Sequence, residues 1–267
     1  MTGTALAPST TRYAVSADGT RIAYDTIGSG PVVVIVGGAM NWREFGNARG
    51  LAATLAPHFT VVNYDRRGRG ESGDTQPYAA DREYEDLSAV IDANGGDAYV
   101  VGFSSGGALA LQAAAHGVPM RKVVSYEAPY VGVDKNKDYL ADLCARLDRG
   151  DRNGAVGYFM VDMVGGPFFM PLMFKLMPKV RRQLAGVAHT LPYDATIMGA
   201  FEAPRDVLGR IAIPALVLGG GKAKPNMTRA VADAAAAIPG SVTKTLPGQT
   251  HMVQDDAIAP ELIAFLR

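Results

Sequence analysis

The sequence predicts an α/β protein built on a doubly wound, mostly parallel sheet, and three observations carry that expectation. Strand-like and helix-like stretches alternate through the first half of the chain. Val32-Val33-Val34-Ile35-Val36 is a continuous β-branched run of the kind found in strands covered on both faces. The apolar run from Ala98 to Gly102 passes through a sharp turn into small helix-forming residues that continue to about His116.

The totals agree with one large domain. A chain of 267 residues with 48% apolar content can bury a sizeable core. Acidic and basic residues balance at 26 each, so no net field steers the protein toward nucleic acid or an anionic membrane, and the expected ligand is small and weakly charged. Cys144 is the single cysteine. That excludes an internal disulfide framework and a Cys-rich metal site, suits a reducing compartment, and leads us to expect a buried structural thiol. Met1 to Thr11 shows no basic segment leading into an apolar core of signal-peptide length, and no apolar run reaches membrane-spanning length. The expectation is a soluble, cytoplasmic protein.

In chain order, Arg12 to Tyr24 holds the turn Ala17-Asp18-Gly19-Thr20 between two alternating segments, which predicts an antiparallel hairpin at a sheet edge. After the break at Gly28-Ser29-Gly30-Pro31, the Val32 to Val36 run is a central strand. It ends in Gly37-Gly38-Ala39-Met40, a loop whose backbone N–H groups can approach a ligand closely. Leu51 to Ala56 predicts a short helix and Thr60 to Tyr64 a strand. The arginine-rich turn Asp65 to Gly73 lacks the Lys-Ser/Thr pair of a phosphate loop, so a structural turn that ties neighbouring loops together is expected. Tyr84, Leu87, Val90 and Ile91 recur at helical spacing within Arg82 to Ile91, and Lys122 to Tyr126 predicts the strand after the Ser104 helix.

Residues from about Val131 to Arg205 break the alternation. They read as helices, with Met160, Met163, Phe168, Phe169, Met170, Met173, Phe174 and Met177 crowded together. Such a cluster is expected to be mainly core, with one face turned to a cavity. The division is therefore a core of 1–130 and 206–267 with a helical cap of 131–205. The sheet resumes at Ile213 to Gly219, an Ala-rich helix covers Thr228 to Ile238, Val242 to Leu246 is the last strand, and Ile258 to Leu266 closes the chain as a helix.

Gly102-Phe103-Ser104-Ser105-Gly106 fits the pattern G-x-S-x-G between a strand and a helix. There Ser104 would sit at the apex in a strained conformation, with Gly102 and Gly106 required because a Cβ at either would collide with its neighbours. A helix N-terminus beside the hydroxyl favours negative charge. His251 falls in Pro247 to Met252, just beyond the carboxyl end of a strand, the edge at which open α/β sheets bind ligands.

These features together resemble the α/β-hydrolase superfamily, over nearly the whole chain. The Asp65 to Ser72 turn, the N-terminal hairpin and the helical cap fit the same plan. The resemblance implies Ser104 as nucleophile, His251 as its general base, and an oxyanion hole formed by the backbone N–H groups of Ala39 and Ser105. His58, His116 and His189 compete for the base role, but only His251 lies in that terminal loop. Gly38, Met40, Trp42, Phe103, Met160, His189 and Met252 are candidate substrate contacts.

The chain departs from the pattern twice. Gly37-Gly38 stands where many members carry His-Gly, so a side chain that usually braces the oxyanion loop is gone. The usual acid follows the penultimate strand, yet Gly219 to Asn226 holds no Asp or Glu. Glu127 is the replacement candidate, with a second reading as a carboxylate that caps a helix or binds a loop N–H. Asp255 and Asp256 read as helix-capping residues.

The expected function is a serine hydrolase acting on an ester, thioester or lactone of a small hydrophobic molecule, with no metal or organic cofactor. The missing acid keeps open a non-hydrolytic pocket protein, either a sensor or a cyclase-like catalyst, and the same machinery could also transfer an acyl group. Pairing of two copies of the chain is left open.

Overall fold

The computed structural model describes residues 10–46, 48–132, 134 and 136–267. The reading of Met1 to Thr11 falls largely on residues 1–9, which lie outside the described residues.

Among the described residues, a single sheet of eight strands organises the fold. The strands are β1 (Arg12–Val15), β2 (Arg21–Gly28), β3 (Val32–Val36), β4 (Thr60–Tyr64), β5 (Ala98–Phe103), β6 (Lys122–Tyr126), β7 (Ala215–Gly220) and β8 (Val242–Leu246). Their spatial order is β1-β2-β4-β3-β5-β6-β7-β8. The hairpin pair β1 and β2 is antiparallel, and β2 also meets β4 antiparallel; every later pairing is parallel. The chain is therefore an α/β protein of the expected doubly wound kind.

The β-branched run of β3 shows why the pattern works. Val34 and Val36 enter one core, while Val33 and Ile35 enter the other. Alternate side chains leave opposite faces of a strand, so a strand covered on both sides must be apolar throughout. On the first face lie α2 (Ala80–Asp92), α3 (Ser105–Ala115) and α10 (Pro225–Ala237), through residues such as Leu87, Leu109 and Val231. On the second lie α1 (Ala48–Leu55) and α11 (Asp255–Leu266), through Leu51, Leu55, Ile258 and Leu262.

Several boundaries move for local reasons. β7 starts at Ala215, after Pro214, which has no N–H to give the ladder. α10 starts earlier than expected because Pro225 sits in its first turn, where a missing N–H costs nothing. Asp255 and Asp256 occupy the first turn of α11 and make no cap; Gln254 holds the cap position without a side-chain bond. Their charge suits the positive helix end.

Between β6 and β7 the described residues form helices and no strand: α4 (Tyr139–Asp148), α5 (Arg152–Tyr158) continued by a π turn (Phe159–Met163), α6 (Met170–Lys175), α7 (Pro178–Gly186), a 3-10 turn (Ala188–Thr190), α8 (Leu191–Met198) and α9 (Arg205–Leu208). This region has its own apolar cluster, including Leu143, Val156, Phe159, Met163, Leu191 and Met198, and the cluster takes in Met40 from the loop after β3. The Met and Phe crowd divides. Met163 is buried and Met160 and Phe174 pack partly against the cluster, but Phe168, Phe169, Met173 and Met177 are exposed. These four lie outside the core; Met173 sits on α6, and Phe168, Phe169 and Met177 flank it in the chain. Cys144 is half-buried on α4, which corrects the expectation of a buried thiol.

The arginine turn is structural, as expected. Arg67 makes a two-pronged pair with Asp86 at 2.7 Å and also meets Asp18 at 3.0 Å. Arg66 grips Glu83 at 2.6 and 2.7 Å. Asp65 accepts the N–H groups of Arg43 and Glu71 at 2.7 and 2.9 Å.

Candidate active site

Ser104 stands at the junction of β5 and α3 with φ 53° and ψ −127°. A non-glycine residue in that region stores strain, typically about 1–3 kcal/mol. The surroundings hold it there: its N–H donates to the Tyr126 carbonyl at 2.9 Å, and its own carbonyl accepts from Gly107 and Ala108. A Cβ at Gly102 would lie 2.3 Å from the Gly106 oxygen, and one at Gly106 would lie 2.4 Å from the oxygens of Gly37 and Val36. Both glycines are therefore required by close backbone approach.

His251 lies in the loop between β8 and α11. Tyr126 Oη donates to the Thr250 carbonyl at 2.5 Å, and the Lys222 N–H donates to the Gln249 carbonyl at 2.8 Å, so the two residues before His251 are tied to the end of β6 and to the loop after β7. Burial, with the Glu127 carboxylate adding to it, pushes the Tyr126 phenol up, so it remains a donor. The imidazole Nε2 is 3.1 Å from Ser104 Oγ, and Nδ1 is 2.7 Å from Glu127 Oε2.

Glu127 follows β6 with φ 47° and is fully buried. Its second oxygen, Oε1, accepts the Gly220 N–H at 2.8 Å. One oxygen of the carboxylate thus binds the N–H of Gly220 at the end of β7, and the other faces His251. The empty acid position after β7 has a steric reason at Gly220. A Cβ there would sit 2.5 Å from the Gln249 oxygen and 2.9 Å from Tyr126 Oη.

The Gly37 to Met40 loop passes close beside the serine. A Cβ on Gly38 would be 3.0 Å from Ser104 Cβ. Ala39 is half-buried, and Met40, with φ 59°, is buried in the helical region's cluster. Met40 thus packs the loop against the helical region. Trp42 stacks on Phe45 with ring centroids 4.6 Å apart, and Phe103 is half-buried, its ring 6.1 Å from that of Tyr126. Met252 is exposed beside His251. His189 faces Asp74, Nε2 to Oδ2 3.8 Å; burial pulls its pKa down, against the opposing carboxylate. The remaining histidines are engaged elsewhere, His58 with Arg267 and His116 with the Gln112 carbonyl. Among the described residues, no three His, Cys, Asp or Glu side chains converge as a metal site would require.

Sequence reasoning missed Asp194. It is fully buried on α8 and accepts the Ser105 hydroxyl at 2.7 Å, besides pairing with Arg66 and Arg69. The available signal was a lone carboxylate in the otherwise apolar stretch Leu191-Pro192-Tyr193-Asp194-Ala195. Such a charge must find partners inside.

Fold and site define the class. The chain belongs to the alpha/beta hydrolase family, whose sequence model matches residues 32–264. Among solved structures it is similar to an alpha/beta hydrolase from Sphaerobacter thermophilus, with 46% identity, coverage of 96% of this chain and 100% of that one, and a TM-score of 0.89. An esterase from a Rhodococcus species shares the fold at 22% identity, covering 96% of this chain and 98% of its own, with a TM-score of 0.70. So does an enol-lactonase from Burkholderia xenovorans, at 20% identity, 96% and 99% coverage and a TM-score of 0.71. Among the described residues, no helix is long and apolar enough to cross a membrane.

Proposed function

We propose that this hydrolase uses Ser104 as a nucleophile to cleave an ester, thioester or lactone of a small hydrophobic molecule through an acyl-enzyme. The observation that carries the reading is the continuous relay from Ser104 Oγ to His251 Nε2 at 3.1 Å and from His251 Nδ1 to Glu127 Oε2 at 2.7 Å. A buried carboxylate facing Nδ1 favours the tautomer with its proton on that nitrogen, which leaves Nε2 free to accept the serine proton.

The steps follow from that tautomer. Ser104 Oγ attacks the carbonyl carbon while His251 Nε2 takes the hydroxyl proton. The carbonyl oxygen becomes an anion facing the N–H groups of Ala39 and Ser105, each donor typically lowering the barrier by about 3 kcal/mol. His251 then gives its proton to the departing alcohol, thiol or ring oxygen. Water, deprotonated by the same nitrogen, releases the acid and restores Ser104. The helical region 131–205 is read as a cap over this site, its apolar cluster meeting the loop that carries Ala39. The esterase and the enol-lactonase of the same fold act on the bond type proposed, which is consistent with this reading. The case for a non-hydrolytic protein came from the missing acid, and the Glu127 contact with His251 speaks for the hydrolytic reading instead.

The test is a fluorophosphonate probe. Rapid, stoichiometric labelling at Ser104, abolished in Ser104→Ala and accompanied by hydrolysis of p-nitrophenyl butyrate, is the expected result. A folded protein that takes no label would end the proposal. Added alcohol separates hydrolysis from transfer, because an acyltransferase would form a new ester in place of the acid.

A further inference from the structure

The Ala39 N–H and the Gly38 carbonyl belong to one rigid peptide unit, so whatever holds that oxygen also sets the direction of the N–H across the plane. Arg69 Nη1 donates to the Gly38 oxygen at 2.8 Å. The same guanidinium donates through Nη2 to Asp194 Oδ2 at 2.7 Å and through Nε to Thr190 Oγ1 at 3.2 Å. Arg66 lies alongside, its Nη1 2.8 Å from Asp194 Oδ1, 3.3 Å from Ser105 Oγ and 3.4 Å from the Gly37 carbonyl. Arg66, Arg69 and Asp194 are each at most 1% exposed. Burial pushes the Asp194 carboxyl up, but the two guanidinium groups outweigh it and hold the carboxyl below its ordinary range.

The two proposed oxyanion donors are set by different means. The carbonyl that shares a peptide with the Ser105 N–H is that of Ser104, and it accepts the N–H groups of Gly107 and Ala108 at 2.8 and 3.1 Å. Helix α3 therefore aims that donor with backbone alone. The Gly38 oxygen receives the Asn41 N–H at 3.2 Å from within its own turn, so its anchor outside the loop is Arg69.

We propose that Asp194 is a positioning residue for the reaction: carried on α8, it locks Arg69 onto the Gly38 carbonyl and so aims the Ala39 N–H at the oxyanion formed at Ser104. The inference rests on the serine-hydrolase reading above. It supplies the brace that Gly37-Gly38 lacks, from a buried arginine where a histidine side chain is absent. The guanidinium also polarises the peptide, which strengthens its N–H as a donor. The brace links the helical region to the reacting centre, because the carboxylate comes from α8 and the loop from the sheet.

The experiment compares wild type, Asp194→Asn and Arg69→Lys in p-nitrophenyl butyrate hydrolysis, in the affinity for n-butylboronic acid as a tetrahedral mimic, and in fluorophosphonate labelling. Thermal melts accompany each. Removing an oxyanion donor costs roughly 100- to 1000-fold in kcat, and one that is only misaimed is expected to cost roughly 10- to 100-fold. The expected result is a fall of that size in kcat with KM nearly unchanged, a matching loss of boronic acid affinity, and slower labelling that still reaches one label per chain. Arg69→Lys keeps the charge but not the fork that spans Gly38 and Asp194, so it reads the brace even where Asp194→Asn fails to fold. Wild-type kcat and boronic acid affinity in folded Arg69→Lys would overturn the inference alone. Wild type that takes no label at Ser104 would overturn it together with the serine-hydrolase reading.

Discussion

One carboxylate, that of Glu127, joins the Gly220 N–H at 2.8 Å to the His251 imidazole at 2.7 Å, so a single buried side chain bridges the end of β7 and the loop after β8. Glu127→Gln keeps the shape and an acceptor for Gly220 while removing the charge that selects the imidazole tautomer. We expect kcat to fall on the order of 10³- to 10⁴-fold with little change in KM or melting temperature. Steady-state kinetics beside a thermal melt check this, and an unchanged rate would remove Glu127 from the mechanism. Adding Gly220→Asp to that variant should not restore activity, because the new Cβ would meet the Gln249 oxygen at 2.5 Å.

Two glycines near the serine should respond differently to one added methyl group. At Gly38 the Cβ would press on Ser104 Cβ at 3.0 Å and the Phe103 oxygen at 3.1 Å, a clash that a few tenths of an ångström would relieve. Gly38→Ala should therefore fold with a small loss of stability but displace the nucleophile, with kcat down roughly tenfold or more. At Gly106 the Cβ would meet two backbone oxygens at 2.4 Å, and neither can yield without moving β3. Gly106→Ala should cost about 3 kcal/mol or more in urea unfolding. Equal stability of the two variants would contradict this account.

The fold was legible because its signals are local. A β-branched run, a turn at Asp18-Gly19 and an apolar strand running into Gly102 each state their own geometry, and β3, β4, β6 and β8 fall where their side chains indicate. Ser104 and His251 were legible for the same reason, each being marked by a loop at a strand end. Glu127 was half legible: its position at the end of β6 could be read, but the oxygen it shares with Gly220 depends on β6 and β7 being neighbours in the sheet. Asp194 was not legible, because its partners Arg66 and Arg69 lie more than a hundred residues away and no periodicity links them. The Met and Phe segment misled in part, since composition does not say which side of a short helix faces out.

That segment offers a direct stability contrast. Phe168 and Leu176 are 86% and 80% exposed, whereas Leu143 and Met163 are at most 2% exposed within the helical region's cluster. Phe168→Ser and Leu176→Ser should each stay within about 0.5 kcal/mol of wild type. Leu143→Ala and Met163→Ala should each cost about 2–5 kcal/mol through lost burial and the cavity left behind. Chemical denaturation measures all four, and a large cost at Leu176 would mean that the side chain is covered in solution.

The pH dependence of stability should carry the mark of Asp18. Its carboxylate accepts the Thr20 N–H at 2.9 Å and Arg67 Nη1 at 3.0 Å. Partial desolvation pushes its pKa up, but the Thr20 bonds and the Arg67 contact outweigh that and bring it down to about 2, from 3.8. The folded state therefore prefers the ionised form more than the unfolded chain does. The resulting stability is complete above the unfolded pKa and is lost as pH falls through the range between the two values. Asp18→Asn should be less stable than wild type at pH 7 by about 1 kcal/mol, a figure reduced for the pair's contact with solvent. The difference should hold down to about pH 5, shrink by pH 3 and vanish only below the folded pKa, near about pH 1, as paired urea titrations would show. A gap of constant size from pH 7 to pH 3 would mean that the side chain contributes through shape and neutral hydrogen bonding, and that Arg67 draws its stabilisation from Asp86 alone.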